Sequence, residues 1–187
     1  MDGLRGVKRD TWEGGHRVAF LARWPGHIPA GATNAETICH VDLMATCAAM
    51  LGAKVPPDAG EDSCNILPAL LGKKPRRPLR EATVLHGGGG QFAIRQGDWV
   101  LIDGPSGDGN ANKNHPGEPD WFKLERGYTK SDWPGELYDL RADLSERRNL
   151  YAEKPEVVRR LKALLEKYKA AGRSTRGAAI KNTPASE

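Results

Sequence analysis

Aromatic residues are scarce, at 6% of the 187 residues. With an apolar content of 39%, against 22 glycines and 13 prolines, this excludes a rich core. It describes a loop-heavy piece of one domain's length, of a kind that leans on a partner surface. Cysteine is nearly absent as well. Cys39, Cys47 and Cys64 are odd in number and none has CxxC spacing, which excludes a complete disulfide framework. Cys47 lies in an apolar helical run and reads as a small core hydrophobe. The histidines at 16, 27, 40, 86 and 115 fall singly, without the paired ligand spacing of structural zinc. No stretch reaches about 18 apolar residues, so no membrane partner is implied. No signal-peptide pattern opens the chain. The net charge of +4 is mild. Its clusters, Lys73-Lys74, Arg76-Arg77 and Arg159-Arg160, are small and scattered, which argues for a solvated mixed-charge surface and against a nucleic-acid partner.

Several catalytic signatures are missing too. There is no GxSxG elbow, no cysteine-protease signature, no HExxH and no EF-hand loop. The four glycines at 87–90 lack the GxxxxGK[ST] pattern and a following helix, which excludes a phosphate loop. They suit a flexible turn, or a close approach to a ligand or another chain. Asp58, Glu61 and Asp62 form an acidic turn that reads as solvated.

The periodicity is clearer. Residues 17–24, RVAFLARW, have strand character before Pro25. Residues 40–53 predict a helix with Val41, Met44, Cys47, Ala48 and Leu51 on its apolar face, Asp42 as cap and Gly52 as stop. Residues 65–71 predict one or two helical turns. Strands are expected at 82–86, 91–96, 98–103 and 136–140, with Gln96-Gly97 as a tight hairpin turn. Residues 104–134 are a long polar insertion, functional or disordered by its length. Residues 155–172 predict an amphipathic helix, with Pro155 at the first position and Val157, Val158, Leu161, Leu164, Leu165 and Tyr168 on one face. The tail from 173 reads as extended or disordered. The pattern as a whole is α+β: a small antiparallel sheet with a C-terminal amphipathic helix laid on it.

Five segments in order carry a resemblance. LRGVKRDTWEGGHRVAFLARWPG is similar to L-R-G-x-K-x-x-x-[WY]-E-G-G-x-R-V-P followed by an apolar strand and W-P-G, with Ala19 in place of proline. HVDLMATCAAMLGAKVP, SCNILPALLGKK, QFAIRQGDWVLI and ELYDLRADLSERRNL follow. Their departures are Ala45 and Leu144 for proline and Val100 for lysine. Together these segments resemble the C-terminal portion of the type I sulfatases, the arylsulfatase-like branch of the alkaline phosphatase superfamily.

The resemblance implies a fold, an activity and a division of labour. Residues 1–75 would be the end of the catalytic α/β domain, contributing the strand at 17–24 and the helix at 40–53. Residues 76–172 would form the C-terminal subdomain, and 173–187 a polar tail. The activity implied is sulfuric ester hydrolysis, on an aryl or carbohydrate sulfate. Its engine is a formylglycine made from Cys or Ser in C/S-x-P/A-x-R, working with Ca²⁺ held by Asp and Asn. No cysteine or serine here has that context, and the Asp-Asp and Asp-Asn pairs are not in this chain. The expectation is therefore a C-terminal fragment, inactive alone, with no metal or cofactor of its own. Export to the periplasm or outside the cell follows from the family only. Lys8 matches the lysine that contacts the substrate sulfate. His16 and His86 fall where family members line the pocket or rim. Trp121, Phe122 and Trp133 are placed either to stack on a ring or to anchor the insertion. A strand at 17–24 with no neighbour would expose an edge and favour self-association. Two other readings stand beside hydrolysis of a sulfate ester. One is a non-catalytic module binding a sulfated glycan or partner chain; the other is a sister branch acting on phosphate or phosphonate esters.

Overall fold

The structure, a computed structural model, describes residues 3–110, 120–125 and 132–180. Its elements in chain order are α1 (Glu13–His16), α2 (Asp42–Met50), α3 (Leu67–Leu70), β1 (Thr83–His86), β2 (Phe92–Gln96), β3 (Trp99–Asp103), α4 (Asp120–Glu125), β4 (Glu136–Asp139) and α5 (Pro155–Ala171). The architecture is α+β, a four-stranded sheet in the order β1-β2-β3-β4 with a C-terminal helix. The chain forms two compact units, Met1–Val18 with Val84–Glu166 and Ala19–Thr83 with Lys167–Glu187.

In the first unit β2 and β3 pair antiparallel, Gln96 opposite Trp99. The turn is therefore Gly97-Asp98, one residue later than expected, with Gly97 at φ 61°. A two-residue hairpin loop needs this positive φ, which glycine adopts without strain. Strand alternation then sorts the side chains. Ala93, Val100, Ile102, Tyr138 and Glu136 share one face, and Ile94, Leu101 and Leu137 the other. Trp12, fully buried, clusters with Ala93, Val100, Ile102, Tyr138 and Leu140, so the N-terminal loop covers the first face. On the second face Lys162 reaches Asp103 at 3.2 Å and Arg160 bonds Gln96. These two contacts lay α5 there, with Val158, Leu161 and Leu165 buried. This is the apolar stripe expected of that helix.

The second unit reverses one expectation. The residues of α2 that are buried are Asp42 and Thr46. Val41, Leu43, Met44, Met50 and Leu51 are exposed, and so is Cys47. At about 100° per residue these follow one another around half of the helix. Cys47 is therefore not a core residue in this chain. Asp42 lies inside the helix rather than capping it, because its carboxylate is committed elsewhere. It accepts the backbone N–H groups of Cys39 (2.7 Å) and Cys64 (2.8 Å) and pairs with buried Arg80.

Two further corrections follow. Residues 17–24 form no strand, and the edge expected there does not exist. No strand of the only sheet among the described residues pairs with them, and extended backbone without ladder bonds stays irregular. Nor does the tail begin loose. Arg173 is buried and donates to the carbonyls of Pro57 and Ala178, and Ser174 donates through N and Oγ to Asp62. The acidic turn is thus partly used as an acceptor. Residues 111–119 and 126–131 of the insertion, and 181–187 of the tail, lie outside the described residues. Among the described residues no helix is long and apolar enough to cross a membrane.

Candidate functional site

The loop from Arg5 to His16 is built around buried charge. The Arg5 guanidinium stacks 3.9 Å over the Trp12 ring and donates to Tyr138 Oη (2.8 Å) and the Glu146 carbonyl (2.9 Å). Trp12 Nε1 donates to Glu136 Oε2 at 2.7 Å. The Glu13 N–H donates to Glu146 Oε2 at 2.7 Å. The Glu13 carboxylate takes Arg17 at 2.7 Å and Arg95 at 3.6 Å, so both Glu13 and Arg17 hold the loop. The Gly-Gly pair is a packing requirement. A Cβ at Gly14 would collide with the carbonyl of Gly6, and one at Gly15 with that of Asp10.

Burial governs the titration here. Desolvation pushes the Glu146 carboxyl up to about 8, against the N–H bond from Glu13 and with the Glu13 charge adding to the rise. It also raises Glu136, which Arg5 pulls back. Desolvation raises the Tyr138 phenol far above its ordinary range. It lowers His16, against the attraction of Glu13.

Lys8 sits on the exposed crest of the loop. Two residues later Asp10 ties the crest down. Its Oδ2 accepts Val7 N–H (2.8 Å), and its Oδ1 accepts Gly109 N–H and Asn110 Nδ2, both at 2.9 Å. Asn110 Nδ2 also reaches the Lys8 carbonyl at 3.1 Å. From the other side Gly88 N–H donates to the Arg9 carbonyl at 2.8 Å. The backbone at Gly109 passes so close to Arg9 that a Cβ would overlap its carbonyl oxygen. The close approach anticipated for the 87–90 glycines is thus made to this chain's own loop. Among the described residues no hydrogen bond or ion pair occupies the Lys8 ammonium.

The three residues singled out from sequence are placed differently. The turn following His86 meets the loop at Arg9, next to Lys8, through Gly88. His86 is exposed and tilts against the Phe92 ring at 4.6 Å. His16, the last residue of α1, is half-buried, its Nε2 turned to the Thr11 carbonyl at 3.2 Å. That bond and its lowered pKa give it a neutral, loop-fastening place. Asp10, Gly109 and Asn110 were not singled out from sequence. A lone Asp in a polar loop and a distant Gly-Asn carry no local signal of their meeting. Trp121 and Trp133 are exposed. Among the described residues no group of three or more His, Cys, Asp or Glu is placed to hold the Ca²⁺ that the sulfatase resemblance implies.

No protein-family model matches the chain. Individual relatives do. An N-acetylgalactosamine-6-O-sulfatase of Bacteroides thetaiotaomicron is 37% identical over 165 residues, 88% of this chain and 30% of that protein. Human arylsulfatase A is 35% identical over 168 residues, 86% of this chain and 32% of that protein. A solved structure from a glycosaminoglycan-metabolising locus of Bacteroides thetaiotaomicron superposes with a TM-score of 0.72 at 34% identity. It covers 89% of this chain and 32% of that one. The chain belongs to the sulfatase family. Its likeness is to the C-terminal portion of those proteins, and it spans about a third of the length of the relatives it matches. The sheet and terminal helix described above are the sulfatase C-terminal arrangement.

Proposed function

We propose that this sulfatase chain supplies one wall of a sulfate-ester site, with Lys8 as the contact to the sulfate. The observation that carries the reading is the exposed Lys8 crest, whose ammonium has no hydrogen bond or ion pair among the described residues, on a loop fastened by Asp10, Asn110 and Gly88. A compact ammonium on a held backbone suits an anionic sulfate oxygen and stabilises charge that develops there as the ester bond breaks. His86 lies two residues before Gly88, which bonds the Arg9 carbonyl, and is assigned to the rim. His16 is assigned to holding the loop.

The formylglycine nucleophile and the Ca²⁺ site belong, in this reading, to a sulfatase region outside these 187 residues. Residues 1–75 are then the end of the catalytic domain and 76–172 the C-terminal subdomain. The exposed apolar half of α2 supports this, since Leu43, Met44, Met50 and Leu51 are what such a region would cover. The substrate is a sulfate ester, aryl or carbohydrate. The test is hydrolysis of an aryl sulfate with Ca²⁺ by the 187-residue chain. It runs beside a chain extended by a sulfatase N-terminal region and co-expressed with a formylglycine-generating enzyme. The expected result is turnover by the extended form only, lost on Lys8→Ala. Turnover by the short chain would overturn the reading.

A second reading has one observation in its favour. Trp121 is 66% exposed on α4, and an exposed indole is suited to stacking on a sugar face. If the short chain binds a sulfated glycan saturably while the extended form stays inactive, the chain is a binding module.

A further inference from the structure

We propose that Cys39 and Cys64 form a redox-sensitive disulfide that staples the 52–64 segment to the entry of α2. The Asp42 carboxylate supplies the geometry. Cys39 N–H donates to Oδ2 and Cys64 N–H to Oδ1 of this one fully buried group. Two donors on the two oxygens of a single carboxylate stand no more than roughly 7 Å apart. Disulfides span Cα separations of about 4.4–6.8 Å. The bound on the two backbone nitrogens is of the same order as that span, and the carboxylate between them is itself held by Arg80 on Oδ1.

The two thiols share one electrostatic neighbourhood. Both are free and partly exposed, and Cys39 is among the groups whose charge acts on the Cys64 thiol. Burial pushes the Cys64 thiol up, while the Arg80 guanidinium pulls it back. A thiol held protonated is the slower attacker, which assigns the first step to Cys39. The Cys39 thiolate attacks a small-molecule disulfide such as oxidised glutathione and expels one glutathione thiolate. The Cys64 thiolate then attacks Cys39 Sγ and expels the second. Two protein thiols lose two electrons and two protons; the glutathione disulfide gains them and leaves as two thiols. Cys47, on the exposed arc of α2, is the internal comparison.

The test is to incubate the purified chain with oxidised glutathione, block remaining thiols with iodoacetamide, and map the peptides by mass spectrometry. The expected product before blocking is two hydrogens lighter, or that species plus one glutathione on Cys47. It carries a Cys39–Cys64 cross-link, and alkylation or a glutathione adduct at Cys47 only. Cys47→Ser should form the same bridge. Cys64→Ser should stop at the glutathione adduct on Cys39. Full alkylation of both Cys39 and Cys64, separate adducts on each, or a bridge that includes Cys47 would each overturn the proposal. None of these outcomes depends on whether Lys8 serves a sulfate.

Discussion

The N-terminal loop and helix α2 dispose of their polar groups in opposite ways. In the loop, charges go inside and are answered there: Arg5, Glu13, Glu136 and Glu146 are all buried, with Trp12 and Tyr138 between them. In α2 the polar residues also go inside, yet the apolar ones are left outside. Asp42 and Thr46 face in, and Leu43, Met44, Met50 and Leu51 face water. The first arrangement finds its partners among the described residues, save that buried Glu146 Oε1 accepts no hydrogen bond there. The second is held together by one carboxylate and leaves its hydrophobic surface uncovered. A sequence pattern that marks an apolar face does not say whether the covering surface lies in the same chain.

The largest effect that tests this contrast is on the loop. Arg5→Ala removes the cation beside Glu136 and Glu146 and the donor to Tyr138 Oη. Breaking a buried charged contact on one side costs about 3–5 kcal/mol. Urea unfolding followed by tryptophan fluorescence should show a loss of that size. A loss under about 1 kcal/mol would mean the cluster is not the closed, desolvated network that its burial describes.

A smaller effect follows from Glu146. Its folded carboxyl titrates near 8, above the roughly 4.3 of an unfolded glutamate. Between those values the folded chain holds a proton that the unfolded chain has released. Stability is therefore highest at the acid end of that window, falls as pH rises through it, and levels off above about 8. Glu136, also raised by burial, works in the same direction. Glu146→Gln keeps an acceptor for the Glu13 N–H and cannot ionise. It should flatten the fall between pH 5 and 9 in urea midpoints. A midpoint that climbs with pH, or a variant with the parent's slope, would contradict the assignment.

Much of this was legible in the residues. The hairpin, β4 and α5 follow from alternation, Gly97, and the stripe of Val158, Leu161 and Leu165, because each of these elements buries its face against partners in the same chain. The strand at 17–24 and the core place of Cys47 were misread for one physical reason. Both expectations assume a covering partner, and none of the described residues provides it. At the candidate site, Lys8 stood out only through its motif. Asp10 and Asn110 meet across about a hundred positions, and no local period encodes that contact.

The α2 face gives the next contrast. Leu51→Lys changes an exposed position and should alter unfolding stability by no more than about 0.5 kcal/mol. We expect the parent chain to self-associate through this surface, now that no strand edge at 17–24 is there to do it. Sedimentation across a concentration series should show the parent growing heavier and the variant staying monomeric. Equal behaviour of the two would place any association elsewhere.

The smallest effect on the fold belongs to Lys8, and this is what makes it informative. Its side chain contributes no hydrogen bond or ion pair among the described residues, whereas its backbone is fastened by Asn110 and, through Asp10, by Gly109. Lys8→Ala should therefore leave the urea midpoint within about 0.5 kcal/mol of the parent. Asp10→Ala, two residues away, removes three N–H acceptor contacts and should cost about 2 kcal/mol or more. If Lys8→Ala were as damaging as Asp10→Ala, the ammonium would be a structural group after all. If the two separate as expected, the loop spends its internal contacts on holding a lysine that the fold itself does not need.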